Sequence, residues 1–214
     1  IFYDSAFRFQ MLHKQTIDTV TLAILKPLMV HPSLDNFVLV GGTALALQIG
    51  HRKSVDLDLF TVVAFDPDTL LADLLPVFSP TLLQKTSLSM ICTIGGIKVD
   101  FIHFRYPFIR TVRLEEGLRM LSVEDIAAMK LDAISGRGSK KDFFDVYYLL
   151  EYFTLDEMFG LYIEKYPHQT TFHVLRSLAY FKDAENDPDP IIMDTTVTWQ
   201  HVKNGIITAV KNYT

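Results

Sequence analysis

Residues 37–60 read FVLVGGTALALQIGHRKSVDLDLF, and this stretch decides the fold. Phe37 to Val40 are apolar, β-branched or aromatic, and follow polar Asp35-Asn36, which reads as a buried strand. Gly41-Gly42 then turns the chain into Thr43 to Ile49, a run of good helix formers, with Gly50 placed to cap its C-terminus. A polar link, His51 to Ser54, leads to a second strand, Val55 to Phe60. Side chains alternate along a strand, so Asp56 and Asp58 share one face while Val55, Leu57 and Leu59 take the other.

The two halves of the stretch carry complementary chemistry. Neighbouring carboxylates repel unless a cation lies between them or one binds a proton. Hard oxygen ligands on a rigid strand suit Mg²⁺, which takes one or two carboxylates and completes its shell with water and substrate phosphate. The glycines allow close backbone approach, and the helix they open presents free N–H groups and a positive dipole end to an anion. Taken singly, a Gly-Gly also serves as a plain turn and an Asp-x-Asp as a solvated edge. In combination, phosphate-binding helix start and metal-binding carboxylates are the equipment of phosphoryl or nucleotidyl transfer.

The order strand, Gly-Gly, helix, basic link, Ser-x-Asp-x-Asp resembles the first motif of the nucleotidyltransferase-fold superfamily. Within it, GGTALALQIGHRKSVDLDLF looks like the AbiEii-type group, which includes toxins of toxin–antitoxin and phage-defence systems. A second block agrees. Lys130, Ala133, Arg137, Lys141-Asp142 and Asp145 resemble the family pattern Lys-x-x-Ala-x-x-x-Arg-x-x-x-Lys-Asp-x-x-Asp. The resemblance implies an α+β nucleotidyltransferase fold, a small mixed sheet flanked by helices with a helical C-terminal part. It implies transfer of a nucleoside monophosphate from an NTP to an acceptor hydroxyl, with Mg²⁺ or Mn²⁺. Asp56 and Asp58 would hold metal, joined by Asp100, which matches the third family carboxylate and would help activate the acceptor. Gly41, Gly42 and Thr43 would cradle the β- and γ-phosphates, with Arg52 and Ser54 beside them. Lys130 would contact the triphosphate, as would Arg137 or Lys141, with Asp142 or Asp145 orienting these cations. Expected partners are NTP, an RNA acceptor such as a tRNA 3′ end, and a cognate antitoxin protein. Small-molecule or protein acceptors, or a non-catalytic nucleotide-binding module of the same fold, are the alternatives.

The remainder of the chain fits that reading. Its 214 residues suffice for one large domain or two small ones, divided here as a core over 1–120 and a helical part over 121–214. Apolar residues make up 49% and charged residues 21%, an ordinary globular balance. No apolar run approaches the roughly 20 residues of a membrane span. Cys92 is the single cysteine, which excludes an intrachain disulfide and suggests a reducing, cytoplasmic compartment; its apolar neighbours make it a packed thiol. The sequence opens on Ile1 rather than methionine, as expected of a trimmed chain. A net charge of −5 argues against a protein that lives on nonspecific duplex binding, so any RNA contact must come from a local patch. Arg137, Lys140 and Lys141, with Arg52 and Lys53, are the candidates.

Elsewhere the pattern predicts a helix over 7–31, with His13 and His31 at the surface, and a second helix over 66–77. Strands are expected over 81–86, 88–94 and 97–104, the last two joined by Gly95-Gly96. On the third of these strands Asp100 and Lys98 face one side, Val99 and Phe101 the other; a solvent-facing Asp100 fits the residues equally well. Ser122 with Asp125, and Ser139 with Asp142, read as capping boxes opening two helices, the second able to pair Lys141 with Asp145. Helices follow over 155–166, 171–180 and 198–213. Phe172, Leu175, Leu178 and Phe181 form an expected core stripe, residues 183–190 an acidic, mobile loop, and Trp199 and His201 fall in no motif.

Overall fold

A computed structural model describes residues 11–213 of the chain. They form two compact units: one runs to Arg105 and includes Val112–Leu121, the other comprises Tyr106–Thr111 and everything from Ser122. The predicted helix over 7–31 lies partly outside the described residues. Its described part is α1 (Thr19–Val30), capped by Asp18, whose carboxylate accepts the Thr21 N–H at 2.7 Å.

The first unit is built on a mixed seven-stranded sheet. Its strands are β1 (Val38–Val40), β2 (Leu57–Thr61), β3 (Thr81–Lys85), β4 (Ser89–Ile94), β5 (Ile97–His103), β6 (Arg113–Glu115) and β7 (Leu118–Met120). They lie in the order β3-β4-β5-β2-β1-β7-β6. β1 runs antiparallel to β2, which runs parallel to β5, so the two strands with the chemically informative acids are neighbours. α2 (Gly41–Ile49) follows β1 directly, and α3 (Pro67–Phe78) follows β2. Burial alternates along β2, β4 and β5: Leu57, Leu59, Met90, Cys92, Val99 and Phe101 are fully buried while Asp58, Ile91 and Asp100 are half-buried on the opposite face. Both turn glycines between β4 and β5 have positive φ, Gly95 at 56° and Gly96 at 84°, the type I′ geometry that suits a tight hairpin. Cys92 is buried, and that burial pushes its thiol up to about 11, so it is inert at neutral pH.

Two features of this unit differ from the sequence expectation. The β6–β7 hairpin, turning on Glu116-Gly117, extends the sheet through parallel pairing of β7 with β1. Its Arg119 donates to the carbonyls of Phe37, Met29 and Leu34, three acceptors that no ladder reaches. Val55 does not join the apolar face and is 47% exposed. β2 starts only at Leu57, because the Ser54 N–H donates to the Thr16 carbonyl and the Thr43 hydroxyl donates to the Asp56 carbonyl, which holds this entry segment off the ladder.

The second unit is helical: α4 (Val123–Gly136), α5 (Lys140–Leu149), α6 (Leu155–Lys165), α7 (Thr171–Leu178) and α8 (Trp199–Tyr213). Ile126, Leu131, Phe143, Val146, Met158, Tyr162, Val174 and Val202 are among its buried side chains. Ser122 caps α4 by accepting the Asp125 N–H at 3.0 Å. Ser139 behaves differently from expectation: its hydroxyl donates to the Asp142 carboxylate at 2.5 Å instead of capping the helix N–H. On α7 the core side chains are Val174 and Leu178, while Phe172 points out, so the expected 172/175/178/181 stripe is only partly core.

The acidic segment predicted to be mobile is pinned. Buried Lys140 sends its Nζ to the carbonyls of Glu185 (3.2 Å) and Asp187 (2.6 Å) and to the Asp189 carboxylate (3.0 Å). Its N–H donates to the Asp187 side chain at 2.9 Å. Trp199 joins in: its indole donates to Glu185 and its ring packs on Phe143, Phe144 and Phe181. Three acceptors converging on one ammonium, with a fourth on the backbone N–H of the same residue, explain why a Pro- and Asp-rich loop is ordered. We expect Lys140→Met to cost about 1–2 kcal/mol, since it removes a buried ammonium from two part-buried carbonyls while Asp189 stays solvated. Limited proteolysis should then cut between 182 and 190 at a rate the wild-type chain does not show. Among the described residues, no helix is long and apolar enough to cross a membrane.

Candidate active site

In the first unit the residues of the opening motif converge. Gly41 begins α2 with φ of 69°, a left-handed backbone that favours glycine. A side-chain carbon there would overlap Oδ2 of Asp58, so the helix start lies directly against that carboxylate. A side-chain carbon at Gly42 would overlap a guanidinium nitrogen of Arg52 and touch Ser54 Oγ. Arg52 itself is buried and donates from Nη1 to the Lys53 carbonyl at 2.9 Å. The Thr43 hydroxyl lies 2.8 Å from Ser54 Oγ, and through its bond to the Asp56 carbonyl it ties the helix to the strand entry. Gly41, Gly42, Thr43, Arg52, Ser54 and Asp58 are therefore one cluster, in which a helix N-terminus, a guanidinium and a carboxylate meet. A helix start beside an arginine is an anion site, and the carboxylate beside it is a place for a cation.

Asp58 and Asp100 are register partners on the parallel strands β2 and β5, so their side chains share a face. Lys98 holds Asp100, its Nζ 2.6 Å from each carboxylate oxygen. Asp56 lies just outside β2 and is exposed. Among the described residues, no three of the His, Cys, Asp and Glu side chains form a metal-ligand group, so Asp56, Asp58 and Asp100 are not drawn together as a triad. The donor set that remains, two in-register carboxylates of hard oxygen character with a lysine ammonium on one, fits a Mg²⁺ site of one or two protein ligands. Lys98 was legible on the face of Asp100; its role as the cation there shows only in the fold.

Substitution at the two glycines should separate stability from substrate binding. Gly41→Ala is expected to cost about 1–2 kcal/mol from the left-handed backbone and to displace the Asp58 carboxylate, removing most activity. Gly42→Ala meets the guanidinium end of buried Arg52, which must shift, and touches Ser54 Oγ. It should lower the melting temperature less than Gly41→Ala while raising the KM for NTP; thermal melts and a KM–kcat comparison check both.

The second unit gathers the other block. Lys130 is 5% exposed, with its Nζ 2.8 Å from Asp142 and 2.6 Å from Asp145, both fully buried. Asp142 also receives Ser139 and, at 3.1 Å, Nε of Arg137, whose side chain is 64% exposed. Burial works against the charge on Asp142, but Lys130, Ser139 and Arg137 outweigh it and hold its carboxyl below the usual range. Lys130 is thus the internal counter-ion of two aspartates, and Asp142 holds Arg137 by a bond from the buried side. Lys141 is exposed. Of the expected basic patch, Arg137, Lys141 and Lys53 are exposed, while Lys140 and Arg52 are buried. A carboxyl held low stabilises the fold above its ordinary value and loses that contribution as pH falls through the depressed one. Acid unfolding of Asp142→Asn should accordingly be flatter than wild type below about pH 4, measured by circular dichroism against pH.

Sequence inspection alone overlooked a second buried pair. Lys165 and Asp125 are both fully buried at 2.7 Å, and Asp125 also accepts the N–H groups of Ile109 and Arg110. Lys165 donates further to the Pro107 carbonyl at 3.0 Å. Burial pushes the Lys165 ammonium below its ordinary value, opposed by Asp125. The pair holds residues 107–110 against α4 and α6; a lysine in an apolar helix face was the only signal available.

Comparison with known proteins gives the family. The model of the family described as nucleotidyl transferase AbiEii toxin, type IV TA system, matches residues 23–115 and 96–212. An uncharacterised protein of Aquifex aeolicus is 32% identical over 185 residues, covering 84% of this chain and 88% of its own. JHP933 of Helicobacter pylori has a similar fold at 18% identity and a TM-score of 0.56, with 92% of each chain covered. A Helicobacter pylori protein provisionally assigned as a nucleotidyltransferase superposes with a TM-score of 0.55 at 19% identity, over 91% of this chain and 95% of its own. With a helix start set against Asp58 and a family match over nearly the whole chain, this protein belongs to the AbiEii nucleotidyltransferase family of type IV toxin–antitoxin systems.

Proposed function

We propose that the enzyme moves a nucleoside monophosphate from an NTP to a hydroxyl at an RNA 3′ end, with Mg²⁺ as its metal. The observation that carries this reading is the packing of the Gly41-Gly42 helix start against both the Asp58 carboxylate and the Arg52 guanidinium. The acceptor oxygen bonds to the α-phosphorus, the bond from that phosphorus to the β-phosphate bridging oxygen breaks, and pyrophosphate leaves with the electron pair. The hydroxyl proton is given up to Asp100, which Lys98 holds in place. Gly42, Thr43, Ser54 and Arg52 bind the β- and γ-phosphates. Asp58 and Asp100 would hold Mg²⁺, which when bound would neutralise charge on the phosphates in an in-line displacement. Within the helical unit Arg137 and Lys141 are exposed cations, and Lys130, Asp142 and Asp145 position Arg137. The toxin character of the family supports RNA as acceptor, and a cognate antitoxin protein belongs to the same reading.

The test is a labelling screen: purified protein, each α-labelled NTP in turn, Mg²⁺ or Mn²⁺, and total cellular RNA. Label in a tRNA-sized band supports the proposal and identifies the base. Metal-dependent NTP binding without labelled RNA would overturn the acceptor and point to a small-molecule or protein hydroxyl. Absence of both would favour a module that keeps the fold without the chemistry.

A further inference from the structure

We infer that the outward face of α7 is a binding surface for single-stranded RNA; the inference rests on the reading of RNA as the acceptor. A protein of net charge −5 cannot hold RNA by general attraction and needs a local surface rich in donors and aromatic faces. α7 has one. A pocket of about 330 Å³ on it is lined by His173, Arg176, Ser177 and Tyr180, an imidazole, a guanidinium and two hydroxyls, with no carboxylate among them. Next to it Phe172 is 67% exposed, and Tyr180 is 52% exposed. The Arg176 guanidinium lies 5.9 Å from the centre of the Phe172 ring.

The spacing is what makes these side chains a surface. Phe172 and Arg176 are four residues apart on α7 and line one stripe, with Tyr180 just beyond the helix end, while Val174 and Leu178 turn the opposite side into the core. Exposing a phenylalanine costs solvation free energy that the fold does not recover, since the core of this helix is served by other residues. A base has a π-face for Phe172, a phosphodiester has acceptors for Arg176, Ser177 and His173, and an unpaired strand offers both at once. Duplex RNA offers only the phosphates, because its bases are stacked away. A protein ligand is less well matched, since the pocket holds only groups able to donate hydrogen bonds and asks for repeated anionic acceptors beside flat rings. Asp183 lies 3.4 Å from the Tyr180 hydroxyl and Asp132 lies close enough to His173 for their charges to attract, so Arg176 is the cation this surface offers to phosphate.

The experiment is fluorescence anisotropy of the full chain, without NTP, against a labelled single-stranded 20-mer RNA, its duplex, and heparin. Phe172→Ala, Arg176→Gln and, as a control on a basic side chain of the other unit, Lys85→Gln are compared with wild type. Phe172→Ala and Arg176→Gln should each weaken single-strand binding about tenfold. Arg176→Gln should also lower the slope of log K against log salt by about 1. Melting temperature and NTP binding should stay as in wild type, since Phe172 and Arg176 are exposed. Lys85→Gln should change nothing. Wild-type affinity in both α7 variants, while the wild-type enzyme still labels RNA, would overturn the α7 surface and leave the acceptor reading standing. Equal binding of heparin and single strand, both insensitive to Phe172→Ala, would overturn it as well, leaving charge attraction alone. Wild-type protein that neither binds nor labels RNA would remove the acceptor reading and this surface together.

Discussion

Asp58→Ala is expected to reduce nucleotidyl transfer by about 10³-fold or more, the scale of losing a group aimed at transition-state charge, while the chain stays folded. Two structural facts set this size. Asp58 is the carboxylate against which the Gly41 helix start is packed, and it is the register partner of Asp100. Removing it leaves both the cation side and the geometry of Gly41 without their partner. The fold should tolerate the change because Asp58 lies on the half-buried face of β2, opposite Leu57 and Leu59. Single-turnover labelling together with a thermal melt measures both. A mutant that turns over at the wild-type rate would refute Asp58 as part of the site, and one that fails to fold would leave Gly42→Ala to report on the same cluster. In cells, overexpression of the wild-type chain should arrest growth if it acts as a toxin, and Asp58→Ala should relieve the arrest.

The largest effect on stability is expected at Asp125. Its carboxylate receives Lys165, two backbone N–H groups and the Ser122 hydroxyl, all within the helical unit and its segment 106–111. Asp125→Ala strands a fully buried ammonium, for which loss of a partner costs about 3–5 kcal/mol. Natural domains hold only about 5–15 kcal/mol in total, so this one change should bring the unit close to unfolding at growth temperature. Removing both charges in Asp125→Ala/Lys165→Met should recover part of the loss, because an apolar pair carries no desolvated charge. Urea denaturation of the three variants tests the pair. Additive losses in the double variant would show that the two residues do not act on each other.

Much of the site was legible from one stretch. Strand, Gly-Gly, helix and Asp-x-Asp are local patterns, and period-2 alternation put Asp56 with Asp58, and Lys98 with Asp100, on one face of their own strands, whereas the face shared by Asp58 and Asp100 came only from the pairing of β2 with β5. The helix boundaries at Ser122, Ser139 and Gly50 were readable for the same reason, since caps are chosen within a few residues. The β6–β7 hairpin was not, because strands of three residues carry too little periodicity to distinguish them from loop. Nor was the direction of α7: the same apolar residues allow two faces, and only packing against the rest of the unit puts Val174 inside and Phe172 out.

Charged residues separate the two levels most clearly. By itself, the sequence determined which residue types stand at which spacing, and that was enough to identify the family. Only the tertiary structure decided what each cation answers to. Lys130 lies in a helical pattern that could as well be solvated, yet two aspartates from α5 bury it. Lys140 could serve a basic surface patch, yet the loop 185–189 folds around it. The physical reason is that the strength of a charge depends on distance and dielectric, and both are set by residues far away in the chain.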